Sequence, residues 1–144
     1  MEHIGIIPVR EISISLIRKD NQILVYQRND DISGRFFFRL VGGCIEFGEA
    51  PENALKREFL EELSLDIEDV VLLEKFESIF TFNGFERHEV VYLFDSSFVN
   101  KDIYNQSIIN GLEGEREFKA IWKDISDFKV GLDVLVPEKI LNYI

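Results

Sequence analysis

One cysteine, one methionine, one tryptophan and three prolines are all that this chain of 144 residues holds of those types, and the shortages exclude several classes of protein. A single thiol, Cys44, rules out an internal disulfide framework and fits a reducing, cytoplasmic compartment. No apolar run approaches the ~20 residues a membrane-crossing helix needs. The start, MEHIGIIPVREI, lacks the basic-then-apolar pattern of a signal peptide, so neither membrane nor secretion is expected. Cations are scarce too: 16 Lys and Arg face 27 Asp and Glu, a formal net charge of −11. Nucleic-acid binders display basic stripes, and the sequence has none, which argues against a long polynucleotide partner. An acidic surface also repels phosphates unless metal ions bridge the two, so the balance favours a small metal-complexed nucleotide.

What is present reads as a folded α/β chain. Hydrophobic residues make up 46% of it, with 13 phenylalanines, and its length suits a single domain over residues 1–144. VREISISLIR at 9–18 and ILVYQR at 23–28 read as a hairpin across KDNQ, and NDDISG at 29–34 as a loop. RFFFRLV at 35–41 reads as a short strand feeding a Gly-Gly turn. VVLLEKFESIFTF at 70–82 and HEVVYLFDSSF at 88–98 flank Asn83-Gly84, a strong hairpin signal. The polar segment 99–114 reads as a loop, REFKAIWKDI at 116–125 as a strand, and VLVPEKILNYI at 134–144 as a terminal helix. A sheet covered on both faces follows.

The densest information lies in residues 42–65, GGCIEFGEAPENALKREFLEELSL. Glu49 and Pro51 mark a helix start, an acid near the positive end of the dipole and a proline at the first turn. At about 100° per residue, Leu55, Phe59 and Leu63 form one apolar stripe over a helix at roughly 51–63. Glu58, Glu61 and Glu62 flank that stripe, and Glu62 falls where a surface helix would place an apolar residue. Arg57 stands four residues before Glu61 and can pair with it or with Glu58. Crowded carboxylates repel, and an oxygen-only set suits Mg²⁺ or Mn²⁺ rather than zinc. EF-hand calcium binding fails on spacing, since the acids lie within a helix and do not alternate along a loop.

The stretch resembles the signature of the Nudix hydrolase (MutT-like) family, G-x5-E-x7-R-E-U-x-E-E-x-G-U, with U a bulky apolar residue. Gly43, Glu49, Arg57, Glu58, Phe59, Glu61, Glu62 and Leu65 fall on motif positions, and Ser64 stands where the family has glycine. The resemblance implies an α/β/α sandwich with a mixed sheet and a signature loop-helix-loop at 43–65. It implies hydrolysis of a nucleoside diphosphate linked to another moiety, such as ADP-ribose, a nucleotide sugar or a modified nucleoside triphosphate, by metal-activated water. By the same resemblance Glu58, Glu61 and Glu62 are metal ligands, with the Gly42 carbonyl a backbone candidate. Arg57 orients Glu58, and Gly43 and Glu49 brace the loop. The general base is Glu58 or Glu61, or an acid outside the helix: Glu89, Glu115 or Glu117.

Arg39, three residues before Gly42, is the candidate phosphate grip, with Arg28 and Arg35 behind it. Phe36, Phe37 and Phe38, and Phe80, Phe82 and Phe85, could stack on a base, though aromatics at strand spacing are usually core. Cys44 reads as a small residue tolerated in a tight turn, and His88 as a structural or exposed histidine. Two other functions stay open: a nucleotide-sensing module that binds without cleaving, and pyrophosphohydrolysis of an RNA 5′ end. The intact acids disfavour the first and the acidic balance the second. Exposed apolar strand residues could serve a homodimer.

Overall fold

The computed structural model describes residues 8–144, so the leader reading of MEHIGII lies outside the described residues. Within them the chain forms β1 (Arg10–Lys19), β2 (Gln22–Asn29), β3 (Phe36–Arg39), β4 (Gly42–Cys44), helix α1 (Pro51–Leu63), β5 (Ile67–Phe82), β6 (Phe85–Phe98), β7 (Ile108–Glu113), β8 (Arg116–Asp124) and helix α2 (Ile125–Lys129). The strand order is β5-β6-β1-β2-β8-β7, with β3 added to β2 and β4 to β1. β1 runs parallel to β6 from Arg10↔Glu89 to Ile17↔Ser96, and the other strand pairs are antiparallel, so the sheet is mixed.

Both faces of this sheet are covered, which makes the α/β/α sandwich. On β2 the period of two sends Leu24 and Tyr26 to one face and Ile23 and Val25 to the other. The first pair packs with Leu55, Phe59 and Leu63 of α1. The second packs with Phe128 of α2 and with Leu135 and Ile140 of the C-terminal segment. Six consecutive residues of β1, Ile12–Ile17, are buried because neither of its faces meets water. Each buried Leu or Phe of the α1 stripe contributes roughly 1.5–3 kcal/mol.

One feature of the pairing positions the site. β1 and β2 share ladder partners only beside their turn, at Arg18↔Ile23 and Lys19↔Gln22. Beyond those pairs the strands diverge, β1 taking β4 as its neighbour and β2 taking β3. The sheet therefore splits, and the split opens a cleft whose floor includes Gly42, Gly43, Tyr26 and Leu40.

Three sequence readings need correction. The strand expected over 35–41 ends at Arg39, and the Gly-Gly turn is itself extended, pairing with β1 as β4. Segment 99–114 is not a loop: Lys101–Asn105 make a 3₁₀ turn and Ile108–Glu113 make the edge strand β7. The terminal helix over 134–144 reduces to a 3₁₀ turn at Glu138–Tyr143. Residues before it run extended against β3, Phe38 N–H donating to Val134 O (2.8 Å) and Val136 N–H to Phe38 O (3.0 Å). The α1 bounds and the Asn83-Gly84 hairpin agree with expectation; both turn residues have positive φ (52° and 79°), as a type I′ turn requires.

Candidate active site

Arg57 organises the signature. Its Nε and Nη2 donate to the two oxygens of Glu49 (2.8 and 2.9 Å), a two-pronged clamp, and Nη2 also reaches the Cys44 carbonyl (2.9 Å). Nη1 donates to Glu58 (3.0 Å) and to Glu61 (3.1 Å). One planar cation thus ties the loop before the helix to two helix carboxylates, a geometry lysine lacks. Glu49 accepts in addition from the Glu46 N–H (3.1 Å). These bonds, with Arg57's the strongest, pull the Glu49 carboxyl down to about 2 and hold Arg57 protonated.

Glu62 is treated in the opposite way. Only 7% of it is exposed, and its Oε2 is buried without a hydrogen-bond partner. Desolvation first, then the nearby charges of Glu58 and Glu113, push its carboxyl up to about 9. A buried acid with an unpartnered oxygen among other acids is a costly arrangement that a cation would relieve. Glu58 is raised as well, desolvation outweighing the bonds from Arg57.

Two glycines make room for this crowding. A Cβ on Gly43 would lie 2.4 Å from the carboxyl carbon of Glu58, and a Cβ on Gly42, at φ 155°, would lie 2.0 Å from the Ser13 carbonyl. Ser64, at the glycine position of the signature, adopts the left-handed conformation itself (φ 58°, ψ 34°) and closes the helix by donating from its N–H to Leu60 O (3.0 Å). The loop geometry therefore survives the departure from the motif.

The structure separates the acids named outside the helix. Glu89 is 1% exposed, not a solvated strand end; it accepts from Arg39 Nη2 at 2.7 Å, with Arg10 at 3.9 Å. Arg39 thus spends a donor on Glu89 at the back of the cleft. Glu115 lies exposed in the β7–β8 turn, and Glu117 lines an open cavity of 610 Å³ with Glu61 and Glu62. His88 points instead toward Glu77 (3.5 Å). Among the aromatics, Phe38 is core, Phe36 and Phe85 are exposed, and Phe37, Phe80 and Phe82 line the cleft.

Sequence reasoning missed Glu113. It sits at the end of β7, accepts from Arg116 (2.6 Å), and adds to the acidic surroundings that push the Glu62 carboxyl up. Its signal was the Gly114-Glu115 turn after two isoleucines, hidden by Asn110-Gly111 inside the strand.

The donor set suits a hard cation: oxygen only, acidic, and partly buried. Among the described residues no three acidic, histidine or cysteine side chains already form a cage, because Glu58 and Glu61 turn toward Arg57.

The family model described as NUDIX domain matches residues 8–141. The NUDIX hydrolase from Nitrosomonas europaea superposes with a TM-score of 0.62 at 18% identity, over 87% of this chain and 78% of its own. The mutator MutT protein from Bacillus halodurans gives 0.61 at 18% identity, over 92% and 80%. The MutT NUDIX hydrolase from Burkholderia pseudomallei gives 0.59 at 25% identity, over 84% and 87%. A search of curated protein sequences yields no match.

Proposed function

The chain belongs to the NUDIX family, and from that premise we propose that it is a Mg²⁺- or Mn²⁺-dependent hydrolase of a nucleoside diphosphate linked to a second moiety. The observation that carries this reading is the unpartnered, buried Glu62 oxygen beside Glu58 and Glu113. Glu58, Glu61 and Glu62 would hold the metal, with the Gly42 carbonyl as a further donor. Once bound, it would neutralise the diphosphate and lower the pKa of an attacking water.

The chain's own residues supply the rest. Arg57 fixes the loop through Glu49 and the Cys44 carbonyl and aims Glu58 and Glu61, so the acids are positioned before substrate arrives. Outside the helix, Glu113, whose charge bears on Glu62, and Glu117, which lines a cavity with Glu61 and Glu62, are the acids placed to take a proton from water. Glu115, exposed in its turn, has no such neighbour. Gly43 admits the Glu58 carboxylate where any side chain would collide with it. Every acid of the signature is in place, which favours cleavage over sensing.

The test is a hydrolysis screen with Mg²⁺ and with Mn²⁺ over ADP-ribose, nucleotide sugars, dinucleoside polyphosphates, and normal and oxidised nucleoside triphosphates. Turnover on one class, abolished in Glu62→Gln, is the expected result. Binding without product on every class would sink the enzyme reading in favour of a sensor.

A further inference from the structure

Within this net-acidic chain, one cavity of the cleft is strongly basic. Arg10, Arg28, Arg39 and Arg87 all line a space of 160 Å³. Among the described residues two carboxylates bear on it. Glu89 is taken by Arg39 and Arg10, and Glu113 by Arg116. Arg28 and Arg87 have no carboxylate within ion-pair distance among the described residues, and the Arg87 Nε is buried without a partner.

Ring faces hold these guanidiniums. Arg28 lies over Phe82 at 4.8 Å and Arg87 over the same ring at 5.9 Å, while Arg39 lies over Phe80 at 5.1 Å. Phe37 meets Phe82 edge-on, at 89° and 5.8 Å. Aromatic surface that stacks on guanidinium is withdrawn from stacking on a base, and a stacked guanidinium turns its N–H edges outward. The cavity is also smaller than the ~300–1,000 Å³ of pockets that enclose a whole drug-sized ligand. It suits a compact anion.

Its distance from the acids carries the last step. A narrower space of 70 Å³ shares Arg10, Arg28, Arg39 and Glu113 and reaches Gly42 and Gly43, against which Glu58 packs. None of Glu58, Glu61 and Glu62 lines the arginine cavity, although Glu113 does, so it lies beside the helix carboxylates and not among them. We propose that it binds a phosphate monoester which the substrate carries in addition to the diphosphate that is cleaved. A monoester is close to dianionic at pH 7 and matches two unpaired arginine forks, where a carboxylate satisfies one. The preferred substrates are then phosphorylated members of their class. The substrate half of this inference rests on the hydrolase reading above; the anion cavity does not.

Two measurements test it. In chelator, at matched ionic strength, inorganic phosphate raises the melting temperature of the wild type and of Glu62→Gln, and fails to raise that of Arg28→Gln or Arg87→Gln. Lys replacements, which keep the charge and lose the fork, give an intermediate response and guard against misfolding of the Gln variants. In hydrolysis, matched pairs that differ by one monoester are compared: NADP against NAD, coenzyme A against its dephospho form, 2′-phospho-ADP-ribose against ADP-ribose. The phosphorylated member is favoured in kcat/KM by about 10-fold or more, and the preference collapses in the arginine variants. No phosphate response in the wild type overturns the proposal. Equal kcat/KM within every pair, with equal loss in the variants, also overturns it and assigns the cavity to the scissile diphosphate. A phosphate response without turnover of any pair keeps the anion cavity and fells the hydrolase reading.

Discussion

The loop half and the helix half of the signature use the same side chain to opposite ends. Glu49 in the loop sits in the fork of Arg57 and is held near 2, while Glu62 in the helix is buried beside two other acids and pushed to about 9. The difference teaches that Arg57 divides the acids into two kinds. Those it neutralises completely fix the shape of the loop. Those left in surplus stay crowded at the expense of stability, a cost that a bound cation would offset.

The sharpest way to break this contrast is Glu62→Gln. Turnover is expected to fall by several orders of magnitude while the metal-free protein melts higher than wild type, since folding no longer has to keep a carboxyl protonated above its ordinary range. A lower melting temperature with turnover retained would show that Glu62 is structural. Arg57→Ala should come next, removing orientation from both halves at once. The expected loss is about 10–100-fold in kcat/KM, together with roughly 1.5–3 kcal/mol of stability in urea unfolding. Arg57→Lys should recover little of either, because the clamp on Glu49 needs a planar fork.

Protonation sharpens the contrast further. A carboxyl lowered to about 2 contributes stability that is complete above its ordinary value of 4.5 and is lost as pH falls toward 2. A carboxyl raised to about 9 acts with the other sign: the unfolded chain ionises from 4.5 upward, so stability is lost as pH climbs from 4.5 to 9. In chelator, the deficit of Glu49→Gln should therefore shrink below pH 4.5, and the gain of Glu62→Gln should grow above it. Melting curves across pH settle the matter, and parallel profiles would contradict the division. The smallest effect expected is for Ser64→Gly at the helix end, a gain of ~0.5–1 kcal/mol from relieving a left-handed serine.

Much of this was legible from residues 42–65 alone. The period of the Leu55–Phe59–Leu63 stripe placed α1 at its observed bounds, and the same period put Glu62 on the buried margin. Glu113 was not legible, for a physical reason. A glycine inside a strand reads as a break, yet Gly111 is there because the Phe118 ring lies where its Cβ would be, 2.3 Å away. The C-terminal segment misled in the same way: an apolar VLV run suggested helix, but it docks edge-on to β3 as extended chain. Arg87 could not be singled out either, because the hairpin that carries it reaches the cleft only through the long β5–β6 ladder.

The split between β1 and β2 gives the cleft the geometry of tongs. Its pivot is two residue pairs, Arg18↔Ile23 and Lys19↔Gln22, and its jaws run about eight residues to Arg10, a lever of roughly 26 Å at ~3.3 Å per residue. On an arm that long, a turn of about 2° at the hinge moves the tip by about 1 Å, the scale on which alignment of reacting groups is won or lost. A substitution at the pivot that never touches the ligand therefore has leverage over the gap into which the ligand must fit.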